Sequence, residues 1–100
     1  MKEFEIISWI FIATAMASEK APTNIKGISK IADGINHSVP THKELQSSFT
    51  WLMKNGFVSK IENKYTLTSK GKNEYKIASE ETNIIMEIWN ILEQKMRNDA

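Results

Sequence analysis

The sequence predicts a mainly helical α+β fold with one small β-hairpin. Three observations carry this: apolar residues recur at helical spacing in four stretches, the period drops to two in one short interval, and glycine and proline total only 4 and 2 in 100 residues. At this length a single domain fits, and folding hides only roughly 60 to 65% of the chain's surface. We therefore expect residues 1–100 to form one unit: an apolar N-terminal helix over 1–19, a helix pair and hairpin over 24–68, and a C-terminal helix or helices over 69–98.

The first element is an apolar run, Ile6 to Ala17 (IISWIFIATAMA), predicted as a helix from about Glu3 to Ser18 and buried on most of its faces. Its Ala15-Met16-Ala17 end resembles a signal cleavage site, but MKEFE before it carries more acid than base, where a secretory signal starts positive. The run is also shorter than the roughly 20 residues that span a bilayer. No membrane association is expected.

The second helix is predicted over Thr23–Asn36, with Ile25, Ile28, Ile31, Ala32 and Ile35 on one face and Lys26, Lys30 and Asp33 opposite. Pro22-Thr23-Asn24 starts it, and Asn36 through Pro40 stops it. The third begins at Thr41, whose hydroxyl can cap while Glu44 completes a capping box. Leu45, Ser48, Phe49 and Leu52 follow on one face, and Asn55-Gly56 closes the helix.

From Phe57 the period changes. FVSKI and KYTL predict a hairpin with Val58, Tyr65 and Leu67 inward, Lys60, Lys64 and Thr66 outward, and a turn at Glu62-Asn63 or Asn63-Lys64. Beyond the Thr68-Ser69 cap, Tyr75, Ala78, Thr82, Ile85, Trp89, Leu92 and Met96 form a heptad seam, which leaves one helix or two open.

Charge is segregated. Residues 1–19 carry net −2; residues 20–76 set ten lysines against Asp33, Glu44, Glu62 and Glu74 for +6; residues 77–100 carry −3. A basic middle between acidic ends suits a polyanion-facing module, although lysines also simply solvate surfaces. The absence of cysteine removes disulfides and thiol chemistry and fits a reducing compartment, so a cytoplasmic location is expected.

Thr41-His42-Lys43-Glu44-Leu45, with Phe49, Leu52 and Gly56-Phe57-Val58, has the recognition-helix spacing of PadR-like regulators. Tyr65-Thr66-Leu67-Thr68-Ser69-Lys70-Gly71 looks like the "LT..G" signature closing the wing in PadR-like and MarR-like proteins. Over about residues 24–72 the chain resembles the winged helix-turn-helix superfamily. The resemblance implies a transcription regulator that binds duplex DNA as a homodimer, with the third helix in the major groove.

With the apolar face turned inward, His42, Lys43, Gln46, Ser47, Thr50 and Lys54 face outward and are the candidate DNA contacts on the helix. Gln46 suits adenine, Lys43 guanine or a phosphate, and Ser47 and Thr50 are short enough for close approach. Lys60, Asn63, Lys64 and Lys70, on and after the hairpin, are assigned to phosphates. Ile7, Ile10 and Phe11 in the first helix, and Ile85, Ile88, Trp89 and Leu92 in the last, are assigned to the dimer, because these helices carry more apolar surface than a small core readily hides.

Some features favour a different partner. Arg97 is the only arginine, so the commonest bidentate guanine contact is missing, and Trp51 on the flank of the third helix could dock a protein. A protein-interaction winged helix without DNA binding is therefore the alternative. A small-molecule effector held between the first and last helices ranks below it. Catalysis is not expected: there is no phosphate loop, GxSxG or dinucleotide fingerprint. His37 and His42 lack the spacing and acidic company of a metal site, so no metal or cofactor is expected.

Overall fold

The N-terminal apolar run becomes the axis of the molecule. A computed structural model, describing residues 1–99, places it as α1 (Glu3–Ala17), followed by α2 (Ile25–Asn36), α3 (His42–Lys54), β1 (Val58–Ile61), β2 (Lys64–Leu67), α4 (Ser69–Glu81) and α5 (Ile85–Asp99). The class is α+β, five helices and a two-stranded antiparallel hairpin. Every residue from Ile7 to Ala15 is buried, because α2, α3, α4, α5 and β2 all pack against α1. Its buried hydroxyls are satisfied within the helix: Ser8, Thr14 and Ser18 each donate to the carbonyl four residues back, at 2.7, 2.8 and 2.6 Å.

Two indoles lock neighbours onto this axis. Trp9 Nε1 donates to the Ala32 carbonyl of α2 at 2.9 Å, and Trp89 Nε1 of α5 donates to the Glu5 carbonyl at 2.9 Å. Their rings stack with centroids 6.3 Å apart, so the two ends of the chain share one aromatic contact.

This arrangement corrects the dimer assignment. Ile7, Ile10, Phe11, Ile88, Trp89 and Leu92 lie in the core of the single chain, and Ile85 is half-buried against it. The surplus apolar surface inferred from the sequence is covered by the protein itself. In the C-terminal part what stays outside is a smaller set, Ile77 on α4, Ile84 in the link between α4 and α5, and Met86 on α5.

The heptad pattern after the hairpin also does not make one helix. Thr82 is extended, and its hydroxyl donates to Glu87 Oε1 at 2.6 Å and accepts from the Ile84 amide at 3.2 Å, which starts α5 afresh. The Lys95–Glu74 ion pair then ties α5 to α4.

Local chemistry fixes the remaining boundaries. Asn24 caps α2 through the Gly27 amide, and His37 ends it in a left-handed conformation, φ 55°. Thr41 and Glu44 exchange both capping-box hydrogen bonds at the start of α3, 3.0 and 2.8 Å. Gly56, at φ +80°, turns the chain from α3 into the hairpin, a conformation that other residues adopt only with strain.

In the hairpin Val58 pairs with Leu67 and Lys60 with Tyr65, around a Glu62-Asn63 turn with Glu62 at φ 58°. Paired residues share a face, so Lys60 sits on the inner face with Tyr65, its ammonium 5.5 Å from the ring centroid, rather than outward as the alternation implied. Lys64 and Ile61 occupy the opposite face. A contact invisible to pattern completes the unit: Thr23 and Tyr65 exchange backbone hydrogen bonds of 3.0 and 2.7 Å, a bridge that attaches the hairpin to the segment before α2.

Gly71 sits where the first turn of α4 meets this unit. A Cβ there would fall 2.1 Å from the Phe57 carbonyl oxygen, a backbone atom that the Thr68 amide also holds. Alanine would gain about 1 kcal/mol of helix propensity, but overpacking against fixed backbone costs typically 1–3 kcal/mol and sometimes more. Gly71→Ala is expected to be a net loss, seen as a lower urea midpoint; a raised midpoint would show that α4 can shift freely.

Candidate nucleic-acid interface

The polar residues of α3 fall on two flanks rather than one. His42, Gln46 and Thr50, spaced four apart, line a cleft of about 460 Å³ together with Met53, Ile25 of α2, and Lys60 and Tyr65 of the hairpin. Its floor is aromatic: Phe49 and Tyr65 stack with centroids 4.0 Å apart. A second cleft adjoins it through Ile25, Lys60 and Tyr65, and adds Asn24, Lys26 and Asn63. Thus His42, Gln46, Thr50, Lys60 and Asn63 are brought around one continuous depression between α3, the start of α2 and the hairpin.

Lys43 and Ser47 lie on the other flank of α3, lining a separate cleft against α1. Lys54 is exposed in the last turn, and Lys64 is exposed on the outer face of the hairpin. Lys70 is differently engaged. Its ammonium donates to the Asn55 carbonyl at 3.0 Å and lies 4.5 Å from the Phe57 ring centroid, so it closes the end of α3 instead of reaching outward. Trp51 is not a free docking aromatic either; it stacks on Phe57 and meets Phe4 edge-on, each at 5.6 Å.

The sequence reading missed Asn24, Lys26, Ile25 and Met53 as members of this surface. Met53 could have been found by continuing the Gln46, Thr50 row by three residues. The α2 residues could not, because they join only through the Thr23–Tyr65 bridge.

Electrostatically the region is basic. Lys26, Lys43, Lys54, Lys60 and Lys64 are exposed, whereas Glu44 is half-buried with one carboxylate oxygen accepting from the Thr41 amide. Glu62 at the hairpin turn is the exposed acid among them.

On the far side, a cleft of about 500 Å³ opens between the end of α1, β2 and α4, lined by Glu19, Lys72 and Tyr75 among others. Burial, and then the Glu19 carboxylate, push the Tyr75 phenol above its ordinary range, so it stays protonated at neutral pH. The space expected between the first and last helices matches a different open cleft, of about 480 Å³, where Met16 of α1 and Ile85 of α5 meet Lys30, Ile31, Gly34 and Ile35 of α2. No cluster of three or more His, Cys, Asp or Glu side chains placed to hold a metal occurs among the described residues. No helix among them is long and apolar enough to cross a membrane. Comparison with known proteins finds no matching family model, no significantly similar curated protein and no significantly similar solved structure.

Proposed function

We propose that the protein is a winged helix-turn-helix regulator that binds duplex DNA, with α3 in the major groove and the hairpin on the phosphates. The observation that carries this reading is the shared depression in which the exposed row His42, Gln46 and Thr50 opens toward Lys60 across stacked Phe49 and Tyr65. A helix of 13 residues is about 20 Å long, and the major groove, about 12 Å wide, admits its cylinder. Gln46 then supplies paired donor and acceptor atoms to an adenine edge, while Lys43, Lys54 and Lys64 neutralise phosphates on either side.

The Thr23–Tyr65 bridge supports the same reading, because it fixes the hairpin relative to α2 and α3 before any ligand arrives. A pre-set hairpin avoids the ordering cost of a mobile arm. Pairing of two copies would place two such helices about 34 Å apart along one face of the duplex; Ile77, Ile84 and Met86 are the exposed large apolar residues in the C-terminal part of the chain.

Titration of a labelled duplex over a range of salt concentrations tests the proposal. With roughly three to five phosphates contacted per protomer, log affinity falls against log salt with a slope of about −3 to −4.5. Two protomers per duplex are expected at saturation. Absence of binding at low salt, or a slope near zero, would overturn the reading.

A further inference from the structure

The cleft of about 480 Å³ between the end of α1, the second half of α2 and the start of α5 is apolar except for Lys30. Ile84 and Met86, on either side of Ile85 in the chain, are 53% and 50% exposed. Gly34 in its wall is the unexpected residue. Glycine inside a helix is destabilising relative to alanine, so it calls for a reason. The chain supplies one for the other three glycines. A Cβ on Gly27 would meet the Thr23 hydroxyl at 2.5 Å, Gly71 is held against the Phe57 carbonyl, and Gly56 has a positive φ. A Cβ on Gly34 would meet nothing within 4 Å, and its φ is not positive. What bare backbone offers at this position is close approach by a surface from outside the chain.

The flanking charges identify that surface. Lys30 lines the cleft from α2, while Glu80, Glu81 and Glu87 are exposed around Ile85, where α4 gives way to α5. None of the four belongs to an ion pair among the described residues, and Asp33, also exposed on α2, does not line the cleft. A face that is basic on one side, acidic on the other and apolar between is complementary to itself under a two-fold rotation. We propose that two copies of the chain pair through this cleft, each Lys30 meeting the acidic corner of the other copy and the two apolar strips closing over Gly34. A small molecule would use Lys30 and the apolar lining but leave Ile84, Met86 and the three acids without a role. The pairing deepens the DNA reading by naming the face on which copies meet. Gly34 lies about 13 Å along α2 from Ile25, which borders the proposed reading surface, so pairing leaves that surface open.

Analytical ultracentrifugation of the intact chain, without DNA, is expected to show a monomer–dimer equilibrium with a Kd of about 10 µM. Gly34→Leu, which the open space around Gly34 admits within one copy, should raise that Kd about tenfold or more by pushing the partner away. Its urea midpoint, measured at dilutions where the unaltered protein is monomeric, should not fall. If it does fall, a charge exchange decides. Lys30→Glu in one sample and Glu80→Lys with Glu81→Lys in another should each weaken pairing, and mixing the two should restore it, because every mixed pair regains opposite charges at both contacts. A chain still monomeric at about 200 µM, a dimer indifferent to Gly34→Leu, or a mixture that pairs no better than its components would each overturn the interface. Sedimentation involves no nucleic acid, so loss of this interface leaves the duplex titration to decide the DNA reading, and failure of DNA to bind leaves the interface standing.

Discussion

Replacing Lys43 and Lys64 together by Glu is expected to weaken duplex binding by about 100-fold or more near 0.1 M salt. Each phosphate contact contributes through release of a condensed counterion, and reversing the charge adds repulsion to the lost contact. The two positions are well chosen because they lie on opposite sides of the proposed reading surface, one on α3 and one on the outer hairpin face. Both are exposed, and neither side chain belongs to an ion pair or hydrogen bond among the described residues, so stability should change by less than about 0.5 kcal/mol. Fluorescence anisotropy with labelled duplex, beside a urea melt of the same variant, separates affinity from folding. A double variant that binds as tightly as the unaltered protein would place the DNA surface elsewhere or remove it. If the variant still captures a protein partner, the protein-docking alternative gains what the DNA reading loses.

The second large effect is on stability. Trp9→Ala should cost about 3–5 kcal/mol, a large share of the roughly 5–15 kcal/mol by which a domain of this kind is stable. Trp9 is fully buried at the centre of α1, stacks on Trp89, and donates to the Ala32 carbonyl. Removing the ring leaves a cavity where α1, α2 and α5 meet. Trp9→Phe divides the effect, since it keeps much of the packing and loses the indole donor; a loss of about 1–3 kcal/mol is expected from the lost hydrogen bond and the smaller ring together. Urea unfolding followed by circular dichroism measures both. A Trp9→Ala loss below about 1 kcal/mol would mean that the contact between the chain ends contributes little.

The helices and their caps were legible because each depends on nearby residues. Thr41 and Glu44 form their capping box within one turn, and Leu45, Phe49 and Leu52 mark the buried face of α3 by spacing alone. Other features depend on partners distant in sequence. The Thr23–Tyr65 bridge is a single residue pair with no run of alternation to announce it. The α4–α5 break was hidden because Ala78, Ile85 and Trp89 keep helical spacing across an extended Thr82. Hydrophobic pattern reports that a face is covered but not by what, which is why Ile7, Phe11 and Trp89 looked like a contact between copies and are the interior of one. The α3 residues were identified as outward-facing, but their division into the Gln46 flank and the Lys43 flank follows from where the hairpin and α1 pack.

The central position of α1 has a consequence for biosynthesis. The helix made before the other elements is the one against which α2, α3, β2, α4 and α5 must pack, and its last clasp, Trp89 to the Glu5 carbonyl, spans 84 positions. Nascent α1 therefore emerges with Ile7 through Ala15 uncovered and has no complete shelter until α5 has cleared the exit tunnel. Assembly must finish after translation of α5, and a polypeptide stalled before Trp89 would present a sticky rod to the cell's holding chaperones.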